Sequence, residues 1–319
     1  MEAQVEQIHA TIIKFEDPVL EEEKKQQVLA WFKNITDPQF QLIDSLIVMF
    51  IDNSSNLELS RKILKILRKL NEIFPENVGP QFFQNLKFPR AIVKYFEVTQ
   101  LEEMTGDAFI LLINVFDEKR MGDTITLDFV NKVTSSLPFI EDDSTLHPLV
   151  SILVCLLPLF EKRSEDPDDI TKNPVLNEFV TKEQFYREKL IYLVNRGGIY
   201  RLDKCCKALN ILLSKPDLAS YYFNTNDINL ILDILLREAQ SNAEAKTRVQ
   251  VLRLMETILD NPVYREYKHR FEDVEEMVVE QILYEDDDQE KKMSASEMEC
   301  IASLNQFFQV EKRKAALAS

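Results

Sequence analysis

From Ala219 to Gln240 the chain reads ASYYFNTNDINLILDILLREAQ, and from Lys246 to Arg265 it reads KTRVQVLRLMETILDNPVYR. In the first stretch Ile228, Ile231, Leu232, Leu235 and Leu236 fall at i, i+3, i+4, i+7 and i+8, the spacing of one apolar helix face. In the second, Val251, Met255, Ile258 and Leu259 repeat that face. Asn224 or Asp227 can accept hydrogen bonds from the free amides that open a helix. Ser241 to Ala243 supplies a polar turn, and the second helix has to end before Pro262. The block is a capped helical hairpin.

The same period extends outward in both directions. Leu59, Ile63, Ile66, Leu67 and Leu70 form an earlier face, and Leu42, Leu46 and Met49 sit in a nearly all-apolar segment that reads as a helix buried on most sides. Breakers recur at short intervals: Asp37-Pro38, 53–56, 75–80, Pro89, Gly106, Gly122, Pro138, Gly197-Gly198, Pro216 and Asn261-Pro262. Only five glycines occur among 319 residues, too few for folds that need close backbone approach at many turns. The predicted fold is all-α: an armadillo- or HEAT-like helical-repeat solenoid, with irregular units of about 40–47 residues and roughly six or seven of them. One domain is expected over 1–312. Within it, 161–174 reads as an exposed acidic loop and a second acidic run covers 284–292. A last amphipathic helix holds Met298, Ile301, Leu304 and Phe308, and 313–319 is expected to fray.

Composition narrows the function. The formal net charge is −16, which repels phosphate backbones and anionic lipid heads, so nucleic acid is not the expected partner. The longest apolar run, Leu149 to Phe160, falls short of the ~20 residues of a membrane span; it is expected to be a buried helix, with no membrane insertion. The N-terminus shows no basic region followed by an apolar run, so no secretory signal is expected. Cys155, Cys205, Cys206 and Cys300 lack zinc-ligand or disulfide-framework spacing, and adjacent Cys205-Cys206 reads as core. His9, His147 and His269 have no triad or metal partner at a workable spacing, and His269 reads as a solvated helix residue. No phosphate-cradling glycine loop or calcium loop occurs. The expectation is a protein with no catalytic, cofactor or metal residues, acting through its surface. One patch reverses the overall sign: Arg61, Lys62, Lys65, Arg68 and Lys69 lie on one stretch without an acid, either the wet face of a helix or a steering patch for an acidic partner. Trp31 and the phenylalanines read as core.

Within the hairpin an aromatic pair, Tyr222-Phe223, precedes Thr225-Asn226-Asp227. The first helix ends in Arg237-Glu238, and the second leads to Asn261, Tyr264 and Arg265. With the preceding ALNILLSKPDLASYY, this text resembles the leucine-rich domain of the WISH/DIP/SPIN family, whose fungal members include the Ldb type. The resemblance implies an armadillo-repeat activator of the actin-related protein 2/3 complex, starting linear actin filaments without a preformed mother filament. Its partners would be that complex and, indirectly, actin; its place the cytoplasm and cortical actin patches; its state monomeric. Without SH3 and proline-rich modules the chain looks like the compact fungal form. It also lacks an acidic tail with a C-terminal tryptophan, so activation would come from a folded surface. Tyr222, Phe223, Asn226, Asp227 and Arg237, with Arg61, Lys65 and Arg68 of the basic stripe, are the expected contacts. The alternative is a scaffold, adaptor or transport-receptor solenoid binding another partner.

Overall fold

The computed structural model describes residues 2–17, 20–36, 41–85, 87–99, 106–116, 121, 124–166, 169–196, 201–240, 244–287 and 293–318. Every regular element among them is a helix, and the fold is all-α with helices stacked as in a repeat array. The expected breaks at Asp37-Pro38, Gly122 and Gly197-Gly198, and the turn at 241–243, lie outside the described residues.

The chain divides into two compact units, Met1–Leu153 and Val154–Ser319, and each has its own core. In the first, Leu57–Ile73 is the hub. It lies against Glu2–Phe15 on one side and Gly106–Val115 on the other, while Leu42–Asp52 packs on Phe88–Val98, which in turn meets Leu127–Ser136. Each helix thus finds its counterpart one repeat along, which is how stacked repeats build a core that no single repeat could close. Aromatic rings fill this core: Phe96 stacks on Phe109 at 4.2 Å, and Phe50 meets Phe88 edge-on at 5.9 Å. Trp31 is only half-buried, tilted on the buried Phe32.

The second unit shows the repeat most plainly. Leu202–Ser214, Ala245–Asp260 and Ala295–Ala318 form one column, and Glu183–Asn195, Thr225–Gln240 and Phe271–Asp287 form another. Each pair of long helices is preceded by a short one that starts on proline: Pro174–Thr181, Pro216–Ala219 and Pro262–Tyr267. Proline suits a first helical position because its missing N–H would have no partner there. These starts lie 42 and 46 residues apart, three helices to a repeat. The residue before the proline ties repeats together. Asn173 accepts from the Val175 and Leu176 amides, both at 3.1 Å, and donates to the Leu157 carbonyl at 3.3 Å. Asn261 accepts from the Val263 amide at 2.8 Å and donates to the Ala219 carbonyl at 2.6 Å. At the middle repeat Lys215 takes this place and pairs with Glu161 at 2.6 Å.

Asp143–Arg163 is a 21-residue helix, longer than its apolar text suggested, because it continues through Pro148 and Pro158. It is long and apolar enough to cross a membrane, yet 83% of its apolar window is buried within the protein. Pro148 leaves the Ser144 carbonyl without its helical donor, and there Gly106 makes its close approach: a Cβ on Gly106 would sit 2.5 Å from that oxygen.

Three boundaries differ from expectation. Glu161 to Arg163 are helical and a 3-10 turn covers Ile170–Lys172, so the expected loop over 161–174 is shorter. Residues 284–287 of the second acidic run belong to a helix, and 288–292 lie outside the described residues. The final helix runs to Ala318 through the span expected to fray; its 312–317 stretch is made of good helix formers, and Lys312 pairs with Glu275 at 2.6 Å.

Candidate docking surfaces

The start of the hairpin is a structural joint. Asn224 and Asp227 cap each other reciprocally: the Asp227 amide donates to Asn224 Oδ1 at 3.0 Å, and the Asn224 amide donates to Asp227 Oδ2 at 3.1 Å. Two orphan amides are satisfied at once. Arg187 lies 3.5 Å from Asp227 and is paired with Glu183 at 2.6 Å, joining this cap to the preceding helix. Tyr222 and Phe223, expected as contact residues, are 0% and 1% exposed. They face inward because the aromatic pair fills the space under the cap, and the Tyr222 hydroxyl donates to the Phe179 carbonyl at 3.2 Å. Burial pushes that phenol well above its ordinary pKa. Neither ring is available to a partner.

Asn226 and Arg237 do face solvent. Arg237, with its side chain 56% exposed, leans on Glu238 at 2.9 Å and on Asn195 Oδ1 at 3.3 Å. Tyr264 is buried, Asn261 is a cap, and Arg265 is an exposed partner of Asp260 at 2.6 Å. Most of the recognisable text therefore encodes caps and core, and a smaller part encodes surface.

The basic stripe is not an exposed face. Arg61, Lys62, Lys65, Arg68 and Lys69 are all half-buried. Lys62 pairs with Glu6 at 2.7 Å, Lys65 with Glu16 at 3.4 Å, and Arg68 with Glu72 at 2.8 Å and Asp107 at 2.5 Å. Leu57–Ile73 sits between two neighbours, and the carboxylates that answer its cations come largely from those neighbours. The stripe is an internal seam.

The cysteines are all buried, and burial raises the Cys205 and Cys206 thiols far above the range in which a thiolate forms. Among the described residues no three His, Cys, Asp or Glu side chains converge on a metal position. His269, expected on a solvated helix, instead lies in a turn and meets Asp233 at 3.0 Å. Its neighbours Lys268 and Arg270 both take left-handed φ values, 50° and 55°, a conformation that non-glycine residues adopt only when other contacts hold them. Lys268 is held by Glu311 at 3.0 Å, and Arg270 by Asp233 at 3.1 Å and Asp273 at 2.8 Å. This turn closes one end of a groove between Thr225–Gln240 and Phe271–Asp287, which sequence reading did not single out. The acid spacing at 272, 276 and 280 was visible in the text, but not the side of the helix it would occupy.

The leucine-rich domain described as SPIN90/Ldb17 matches residues 102–274. The chain belongs to the SPIN90/Ldb17 family. No curated protein matches it. Membership brings an actin-related role and an association with the cytoskeleton. The SPIN90/Ldb17 match includes the capped hairpin and the three proline-started helices of the second unit, and it leaves out the stripe at 61–69.

Proposed function

We propose that this SPIN90/Ldb17 protein activates the actin-related protein 2/3 complex and starts linear actin filaments without a preformed one, as a monomer at cortical patches in the cytoplasm. It acts through shape and surface, with no bond-making step of its own. The family match over 102–274 is the observation that carries this reading.

Stiffness supplies the mechanism. A binder that holds the active arrangement of a two-state complex more tightly than the resting one shifts the equilibrium by that difference alone. Moving from about 1:99 to 99:1 needs about 10⁴-fold preference, near 5.5 kcal/mol, and a binder that flexed to suit both states would supply none of it. The ties from Asn173 to Leu157, from Asn261 to Ala219 and from Arg187 to Asp227 oppose such flexing within the second unit. Asn226 and Arg237 are the proposed contacts, since they alone among the expected hairpin residues are well exposed.

Bulk polymerisation of fluorescent actin with the purified complex and no seeds tests the reading. A lag that shortens with protein concentration, and lengthens again in Asn226→Ala/Arg237→Ala, is the expected result. An unchanged lag with folded protein would overturn it and leave the scaffold or adaptor role.

A further inference from the structure

We propose that the groove between Thr225–Gln240 and Phe271–Asp287 is a docking site for a basic amphipathic helix of a protein partner. The groove shares Arg237 with the contacts proposed for nucleation, but the inference concerns the chemistry of the bound segment and is tested by binding alone, whatever the outcome for nucleation. Leu236 and Met277, both buried, form the floor of the groove. On one wall, Leu230 stands 47% exposed in line with Asp233 and Arg237, at i+3 and i+7 from it. On the outer flank of the other, outside the groove lining, Val279 is 43% exposed, next to Glu280 in the chain and three residues after Glu276.

The acids along the groove differ in how their charges are satisfied. Asp233 and Asp273 are both answered by Arg270. Glu276 and Glu280 line the groove and have no hydrogen-bond or ion-pair partner among the described residues. Glu272, also without one, continues the ladder a turn earlier. Like charges at i, i+4 destabilise a helix by a few tenths of a kcal/mol per pair, and Phe271–Asp287 contains no lysine or arginine to relieve them. The carboxylates run along the helix, one turn or about 6 Å apart, and do not converge as cation ligands would.

A helix with lysine or arginine at i and i+4 matches that ladder rung for rung. Apolar residues on its adjoining face would cover Leu230 and Val279, the helix-in-groove mode of recognition. Charge complementarity selects the basic helix over an acidic or neutral one.

A fluorescent synthetic Leu/Lys amphipathic helix of about five turns serves as the probe, read by anisotropy at low and physiological salt. Wild-type protein should bind it, and a Leu/Glu helix of the same length should not bind. Glu276→Lys/Glu280→Lys should weaken binding at least about tenfold, and Leu230→Ser/Val279→Ser should also weaken it. The control Glu188→Lys/Glu299→Lys, which changes two exposed glutamates and the net charge equally, should leave affinity within about threefold. Unchanged thermal midpoints show that the variants are folded. Failure of wild-type protein to bind the Leu/Lys helix would overturn the proposal. So would equal weakening by the two charge-reversal pairs, or indifference to the Leu230/Val279 pair.

Discussion

Leu57–Ile73 and Phe271–Asp287 both carry a run of one charge sign, and they resolve it in opposite ways. Lys62, Lys65, Arg68 and Lys69 of the first meet carboxylates of their own helix and of the segments packed beside it, so their charge is answered inside the fold. The acids at 272, 276 and 280 of the second form no hydrogen bond or ion pair among the described residues, and exposed apolar side chains lie beside them. Charge in a sequence indicates where electrostatics acts. Whether its partner is internal or external depends on what stacks alongside.

Reversing charge in each helix should break this symmetry most visibly. Arg68→Glu places a fourth carboxylate among Glu16, Glu72 and Asp107 in a half-buried seam, and should cost about 3 kcal/mol; denaturant unfolding followed by the first unit's Trp31 fluorescence reads the loss. Arg68→Ala, which only removes the cation, should cost about 1–2 kcal/mol by the same measurement. A third experiment uses a paired carboxylate from the acidic second unit. Hydrogen bonds from Lys314 and then Lys268 lower the Glu311 pKa from 4.5 to about 2. A depressed folded-state pKa contributes stability above the unfolded value that disappears as pH falls. The difference in thermal midpoint between wild type and Glu311→Gln should therefore be full above pH 4.5 and close toward pH 2. The smallest effect belongs to the acidic ladder itself. Glu276→Gln/Glu280→Gln relieves repulsion and should raise stability by about 0.3–0.5 kcal/mol; a clear loss would mean that these glutamates have an internal partner.

The helical fold was readable because apolar residues recur at 3.6-residue spacing and glycine is scarce. The repeat itself was harder to see. Its markers are short proline-started helices whose preceding residue is Asn, Lys and Asn in turn, so the common role lies in the tie each makes and not in one residue type. The capped hairpin was legible as a hairpin, but whether Tyr222 and Phe223 face in or out depends on Phe179, 43 residues away. The basic stripe misled for a related reason. Glu6, Glu16 and Asp107 are distant in sequence and come alongside Leu57–Ile73 only through stacking. Local periodicity shows which residues share a face; only the neighbouring repeat decides whether that face is open.

The proposed nucleation requires that a folded surface of this SPIN90/Ldb17 protein act on the actin-related protein 2/3 complex. Single-filament fluorescence microscopy tests it most directly, with monomeric actin, the complex and this protein, and no seeds. Unbranched filaments whose number rises with protein concentration are the expected result. Filament numbers equal to those of actin and complex alone would contradict the claim.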